Sequence, residues 1–134
     1  MAKTKITGQS GTLENKVIEV QIKDLRITHE INAVWLKRWI EANGDAVKDS
    51  PQYLYLCGDY EPLWEWCKYR RIPKTYFSQK IMDTLKSLIH EGQKEPIKIY
   101  RDMRINTGHK RAACMLFLGA KTIKAVIVPD DYKL

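Results

Sequence analysis

The hydrophobic pattern between Gly92 and Val128 changes several times within a short distance, and this constrains the fold more than any other feature. Two short apolar runs are typical of β-strands, a helical pattern follows, and an alternating run predicts a final strand. These elements are expected at residues 96–100, 103–106, 109–118 and 122–128. A turn near Asp102 separates the first two strands, and Gly119 closes the helix. The combination of strand and helix patterns predicts an α/β (α+β) domain.

The amino-terminal part of the chain adds one strand and one helix. Residues 17–23 alternate, which places Ile18, Val20 and Ile22 on one face of a half-buried strand. A helix that Gly44 ends is predicted next, with its core face formed by apolar residues at three- and four-residue spacing. Those residues are Ile31, Val34, Trp35, Trp39 and Ala42.

Prolines and glycines interrupt the region from Asp45 to Phe77, where the periodic signal is weakest. A short strand is predicted at residues 53–56, and a short helix from Pro62, where the missing N–H of proline does no harm. Ser78 is the expected N-cap of the following helix, which Gly92 ends. The apolar stripe of that helix consists of Ile81, Leu85, Leu88 and Ile89.

The length of 134 residues suits one domain with a real core. Residues 1–13 are expected to form a flexible tail, and residues 14–134 a single domain with an insertion at about 43–77. The sequence shows neither a signal peptide nor a membrane span. Three cysteines without metal-ligand spacing favour a reducing, cytoplasmic location and no structural metal site, and Cys114 is expected to be a small buried hydrophobe.

The charge balance favours an anionic partner. Lys and Arg outnumber Asp and Glu by 23 to 16, which gives a net charge of +7. Nucleic acid, a nucleotide or an acidic lipid would match this charge. Lysines that merely coat the surface explain it equally well. The partner therefore has to be inferred from motifs.

The run Thr107–Arg111 (TGHKR) is the main candidate for a binding site, because it lies where a predicted strand passes into a helix. The first N–H groups of a helix lack intrahelical partners, and the helix dipole makes this end attractive to phosphate. Gly108 lets the backbone approach an anion closely, Arg111 can bind phosphate oxygens in a two-pronged way, and His109 and Lys110 add donors. A solvated basic turn is the alternative interpretation. Basic residues here oppose the dipole, which favours a bound anion.

The order of these features resembles the amino-terminal domain of ParB-like proteins, a fold shared with sulfiredoxins and free-serine kinases. The resemblance covers roughly residues 17–28 and 77–128 and includes the Pro96–Ile97 strand, the Gly108-x-x-Arg111 box and Gly119. It implies a small ParB/sulfiredoxin-like domain that has a mixed sheet with flanking helices and an aromatic-basic insertion. It further implies that Thr107, Gly108, His109, Lys110 and Arg111 hold the phosphates of a nucleoside triphosphate, ATP or CTP, with or without Mg²⁺.

Two residues near this box are candidates for catalysis. The resemblance implies that Glu95 is close to the nucleotide, as a general base or a magnesium contact, although a solvated loop residue is the plainer interpretation. His109 is a candidate proton carrier. It stands where sulfiredoxin-like members have a cysteine, so reduction of sulfinic acids through a thiol is not expected. Partition proteins of this family usually carry GERR in place of GHKR, and they continue into a DNA-reading helix-turn-helix beyond the region matched here.

Aromatic and basic residues interleave between Trp64 and Lys74, within the predicted insertion. Rings that stack on bases and cations that meet phosphates suit single-stranded nucleic acid or a nucleobase. A tryptophan in the core beside a solvated basic face is an equally good interpretation. The residues expected to contact nucleic acid or substrate are Trp64, Lys68, Arg70, Arg71 and Lys74.

Three functions follow from these motifs. The first is a nucleotide-binding, ParB-like domain that acts with or on DNA, as an NTPase or a nuclease-like protein. The second is a small-molecule phosphotransferase or ATPase of the free-serine-kinase type. The third is a non-catalytic DNA-binding or interaction module. Whether the chain forms a homodimer stays open.

Overall fold

The computed structural model describes residues 16–28 and 33–132. Within these residues four short strands form one mixed sheet in the order β1–β4–β2–β3. Strand β1 pairs antiparallel with β4, β4 pairs parallel with β2, and β2 pairs antiparallel with β3. The strands are β1 (Ile18–Gln21), β2 (Ile97–Ile99), β3 (Ile105–Thr107) and β4 (Thr122–Ile127). The predicted α+β class with a mixed sheet is confirmed.

Five α-helices lie in the same described ranges, with short 3-10 turns at Ile22–Asp24 and Val47–Asp49. Helix α5 connects β3 to β4, and α4 packs along α5. Helix α2 contacts both α3 and α5. The helices are α1 (Val34–Asn43), α2 (Pro51–Leu56), α3 (Glu61–Arg70), α4 (Lys74–Glu91) and α5 (His109–Phe117). The predicted insertion is therefore largely helical and packs against the helix that follows the Gly108 turn.

Two predicted elements near prolines were wrong. Residues 53–56 belong to helix α2, because Ser50 caps it by accepting the Tyr53 N–H at 3.2 Å and Pro51 occupies its first position. Ser78 is not an N-cap, since α4 already begins at Lys74. Pro73, with φ −59° and ψ 139°, holds an extended conformation and sets that start. The helix from Pro62 and the helix ends at Gly44 and Gly92 are confirmed.

The core face of α1 is rotated from the predicted one. Leu36 is the buried residue of this helix, whereas Val34 is 47% exposed and Ala42 is exposed. Trp35 and Trp39 lie at the boundary and stack on each other with ring centroids 5.6 Å apart. The wide aromatic rings thus cover the core edge while Leu36 enters it. Predicted Ile31 and the predicted tail lie outside the described residues.

The buried residues in the described part of the chain form two hydrophobic clusters. The sheet core lies between the sheet and α5 and is aliphatic. The helical core lies among α1, α3, α4 and the other side of α5, and it contains Trp66 and Phe77. Helix α5 contributes Ala112 and Ala113 to the first and Cys114 to the second. Cys114 is fully buried, as predicted, and burial raises the pKa of its thiol to about 11. No helix among residues 16–28 and 33–132 is long and apolar enough to cross a membrane.

Candidate functional site

The turn between β3 and α5 can accept only glycine at position 108. Gly108 has φ +118°, a conformation that residues with side chains rarely adopt. A β-carbon there would overlap the Ile97 side chain, 2.7 Å from the Ile97 Cβ and nearer still to Cγ2. The main chain at Gly108 therefore lies directly on strand β2. Glycine is needed for packing here, whether or not a ligand also uses the turn.

The amino-terminal end of α5 has no side-chain cap and no acidic residue in its first turn. Its first intrahelical bond runs from the Ala112 N–H to the Gly108 carbonyl, so the N–H groups of residues 109–111 precede the helical ladder. The helix dipole concentrates partial positive charge at the same end. This arrangement can bind an anion through main-chain donors.

Arg111 bridges the turn to the segment before β2. Its Nη1 donates to the carbonyl of Glu95 at 2.7 Å and to the carbonyl of Pro96 at 3.3 Å. Its Nη2 lies against the turn, 3.5 Å from the position a Gly108 β-carbon would take. Burial lowers the pKa of this guanidinium, and the nearby Glu95 carboxylate opposes that shift. Nη1 of Arg111 therefore holds the segment before β2, while Nη2 lies beside the Gly108 turn.

Lys110 is a half-buried cation beside the same turn. Its Nζ lies 5.9 Å from the centroid of the Phe77 ring. Burial lowers the pKa of its ammonium group, and repulsion from Lys80 adds to that effect. An anion placed here would offset both the lost hydration and the repulsion.

His109 is held as a neutral ring. The backbone N–H of Thr28 donates to its Nε2 at 3.2 Å, and a backbone N–H can only donate, so Nε2 is the unprotonated nitrogen. Thr28 Oγ1 donates to the carbonyl of Ile105 at 2.6 Å, which fixes this residue against β3. Burial, together with the charge of Lys110, lowers the pKa of His109 to about 4. The ring ties the turn to the segment after β1.

Clefts open on both sides of the turn and share Thr107, Gly108, His109 and Lys110 as a common wall. The first, of about 350 Å³, lies towards α4 and includes Arg111, Glu95 and Lys94. The second, of about 420 Å³, lies towards α1 and α3. Its lining includes Thr28, Leu36, Gln52, Trp66, Tyr69, Arg70, Phe77 and Asn106. Residues 107–110 thus form the ridge between two adjoining clefts.

The residues predicted for the site are only partly brought together. Residues 107–111 and Glu95 line the first cleft, and Arg70 joins the ridge at the second cleft. Trp64 instead packs against Tyr55 and Tyr60, with the Lys74 ammonium 5.4 Å from its ring. Lys68 and Arg71 are exposed and line neither cleft. Arg71 also has φ 58°, because it ends α3 in the left-handed conformation.

Comparison with protein-family models, curated proteins and solved structures found no match.

Several residues of the second cleft carry no local signal in the sequence. Gln52 follows a Ser-Pro helix start and is 6% exposed, while Asn106, the middle residue of β3, is 4% exposed. Asn106 donates to the Tyr100 hydroxyl at 2.9 Å and accepts from the Thr107 hydroxyl at 2.7 Å. Asn106 takes a polar position in the alternation that begins Met103-Arg104-Ile105, so the sequence gives no sign of its burial. Gln52, Thr28 and Trp66 reach the site only through tertiary packing.

No group of three or more His, Cys, Asp or Glu side chains in the described ranges is arranged to hold a metal ion. Glu95 is a lining residue of the first cleft, and its carboxylate lies close enough to Arg111 to affect the pKa of that guanidinium. A magnesium ion at this site would take most of its ligands from phosphates and water, as this ion often does.

Proposed function

We propose that this chain binds a nucleoside triphosphate, ATP or CTP, with its phosphates on the ridge Thr107–Lys110 and on Arg111, and acts with or on DNA. The observation that carries the proposal is the uncapped amino end of α5, which opens onto a cleft together with Lys110 and Arg111. Main-chain donors, a helix dipole and two cations are groups that bind phosphate. The order of elements also supports a ParB-like assignment, in which the nucleotide would be hydrolysed or would regulate DNA binding.

Binding to DNA is the second part of this proposal. Cations surround the ridge, with Arg70 at the second cleft, Lys94 at the first, and Lys80 close enough to lower the pKa of Lys110. Exposed Tyr69 and Tyr76 lie on the neighbouring helices, and Lys80 Nζ is 5.3 Å from the Tyr76 ring. Aromatic rings among cations suit single-stranded nucleic acid. The free thiols of Cys57, Cys67 and Cys114 agree with a cytoplasmic setting.

A phosphotransferase of the free-serine-kinase type is the second candidate function. Glu95 supports it, because this exposed carboxylate lies in the first cleft beside Arg111. A carboxylate within reach of a terminal phosphate could accept a proton from an alcohol acceptor. His109 is less suited to this role, since its Nε2 already accepts from Thr28.

Isothermal titration with ATP, CTP, GTP and UTP, with and without Mg²⁺, tests the binding. Lys110→Gln removes the charge and keeps a side chain of similar length, so we expect affinity to fall by about 10-fold or more, the value of a charged hydrogen bond. Lys68→Gln is the matched control, because it removes the same charge from an exposed site outside both clefts. Failure of the wild type to bind any nucleotide would contradict the proposal.

DNA binding is tested by fluorescence anisotropy with single- and double-stranded oligonucleotides across a salt series. Contacts with several phosphates predict a steep loss of affinity between low and moderate salt. Addition of the preferred nucleotide should change this affinity if both ligands use the ridge. DNA affinity that does not change with salt would contradict binding through phosphates. DNA affinity that does not change with nucleotide would show that DNA and nucleotide bind at different places.

The two enzyme classes are separated by activity assays. Glu95→Gln should abolish transfer to an alcohol acceptor and leave nucleotide affinity within about 3-fold, because a general base contributes to the rate more than to binding. Release of inorganic phosphate without an acceptor would support the NTPase over the phosphotransferase.

A further inference from the structure

The second cleft has the shape and lining of a site for a planar organic ring. Its volume of about 420 Å³ falls in the range of small-molecule sites, and its floor is apolar. Leu36, Trp66 and Phe77 are all buried, and the rings of Trp66 and Phe77 lie 5.3 Å apart at 46°. Tyr69 is 46% exposed at the mouth. Flat apolar walls with an aromatic rim suit a stacked heterocycle.

Two side-chain amides are among the polar groups that line this cleft. Asn106 is fixed by hydrogen bonds to Tyr100 and Thr107, and buried Gln52 adds an amide that can both donate and accept. Trp66, which is 8% exposed, has an indole N–H with no hydrogen-bond partner in the part of the chain that the structure describes. A buried donor without a partner is costly, so a hydrogen-bond acceptor that reached this N–H on ligand binding would stabilise the indole. A hydrocarbon would satisfy none of these groups.

The position of the cleft indicates what the ring is attached to. The ridge that separates it from the first cleft consists of the same residues that are proposed to hold phosphates. Arg70 lies at the second cleft with its guanidinium 5.6 Å from the Trp66 ring centroid, and Lys110 lines both clefts. A ligand with a ring at one end and phosphates at the other would match the apolar floor and the cationic ridge together.

We propose that the second cleft binds the base and sugar of the nucleotide whose phosphates lie on the ridge. The proposal rests on the proposed function, and it assigns the selection of the nucleotide to Trp66, Arg70 and Gln52. The phosphates occupy the ridge, the base enters between the ridge and α3, and its edge meets Gln52 and Asn106. Specificity thereby comes from the predicted insertion, while affinity for phosphate comes from the turn.

The test compares three probes on the full chain: nucleoside triphosphates, inorganic tripolyphosphate and free nucleosides. We expect the preferred triphosphate to bind at least about 10-fold more tightly than tripolyphosphate, because a stacked base contributes on this scale. Trp66→Phe and Arg70→Gln should each reduce that ratio below about 3 and leave tripolyphosphate affinity within about 3-fold.

Matched controls separate this effect from a change in folding. Trp39→Phe removes an indole whose N–H already donates to the Asp49 carbonyl at 2.8 Å and which lines neither cleft. Lys68→Gln removes a charge from the same helix as Arg70. Both should keep the ratio of the wild type. Arg70 is exposed, so Arg70→Gln stays informative if Trp66→Phe fails to fold.

The outcomes distinguish the two proposals. Equal affinity for triphosphates and tripolyphosphate would overturn the base cleft and leave the phosphate ridge in place. If Trp66→Phe and Arg70→Gln both keep the wild-type ratio of triphosphate to tripolyphosphate affinity, the base cleft would also be overturned, because the base would then bind elsewhere. Binding of a free nucleoside that Trp66→Phe weakens, without binding of tripolyphosphate, would support the cleft and overturn the ridge. Absence of binding by every probe would overturn both.

Discussion

The sheet core and the helical core differ in how they are built. The sheet core is aliphatic and lies on a sheet whose strands are paired in a defined register. The helical core is rich in aromatic rings, includes the stack of Trp39, Trp35 and Trp66, and contains a buried N–H without a described partner. The first is suited to hold the Gly108 turn in one position. The second borders the second cleft and contributes Leu36, Trp66 and Phe77 to its lining.

Helix α5 contributes residues to both cores. We therefore expect the largest loss of folding stability when an isoleucine side chain is truncated in either core. Ile99 in the sheet core is 1% exposed and Ile81 in the helical core is 0% exposed. We expect Ile99→Ala and Ile81→Ala each to lower the free energy of unfolding by about 2–5 kcal/mol. Urea unfolding followed by far-UV and near-UV circular dichroism measures this. Non-coincident transitions for the two signals would show that the cores unfold separately.

The turn at Gly108 tests how rigidly the sheet core holds the site. A methyl group there overlaps Ile97 and meets the unfavourable positive φ, so Gly108→Ala should cost about 2–4 kcal/mol. Gly119→Ala is the matched control, since its φ is +91° but nothing lies within 4 Å of an added β-carbon. It should cost about 1 kcal/mol. Equal losses of stability for Gly108→Ala and Gly119→Ala in chemical denaturation would show that the Ile97 side chain moves aside without an energetic cost.

His109 connects the turn to Thr28 and gives the stability a pH dependence. Its folded pKa of about 4 lies below the unfolded value near 6.5, so the unfolded state binds more protons between these limits. Stability is therefore complete above pH 6.5 and falls by up to about 3 kcal/mol as the pH drops towards 4. Denaturation of wild type and His109→Gln at several pH values measures it, with His90→Gln as the control. An unchanged pH profile in His109→Gln would contradict this assignment.

The smallest effect concerns Arg71, at the edge of the helical core. Its left-handed conformation, φ 58° and ψ 41°, is one that glycine adopts without penalty. Arg71→Gly should raise the free energy of unfolding by about 0.5–1 kcal/mol and leave nucleotide affinity unchanged, because Arg71 lines neither cleft. Thermal melting and titration measure both quantities. A marked loss of nucleotide affinity would show that Arg71 contributes to the binding surface.

Local patterns in the sequence determined most of the elements that carry the turn. The strands β2, β3 and β4 and helix α5 follow from changes in hydrophobic period, and glycines mark their ends, because these signals depend on neighbours within a few residues. The Ser50-Pro51 and Pro73 starts were also local signals. Proline at these two starts outweighs the short apolar alternation at 53–56 and the serine at position 78.

Tertiary packing decided which distant residues meet at the turn. Thr28 reaches His109 across 81 positions, and the insertion brings Trp66 and Arg70 to the ridge while it turns Trp64 and Lys74 away. Residues of the same type in one basic-aromatic run thus have different surroundings. Helical rotation and the packing of α3 against α2 and α4 set that difference, and neither is encoded in the spacing of the run alone.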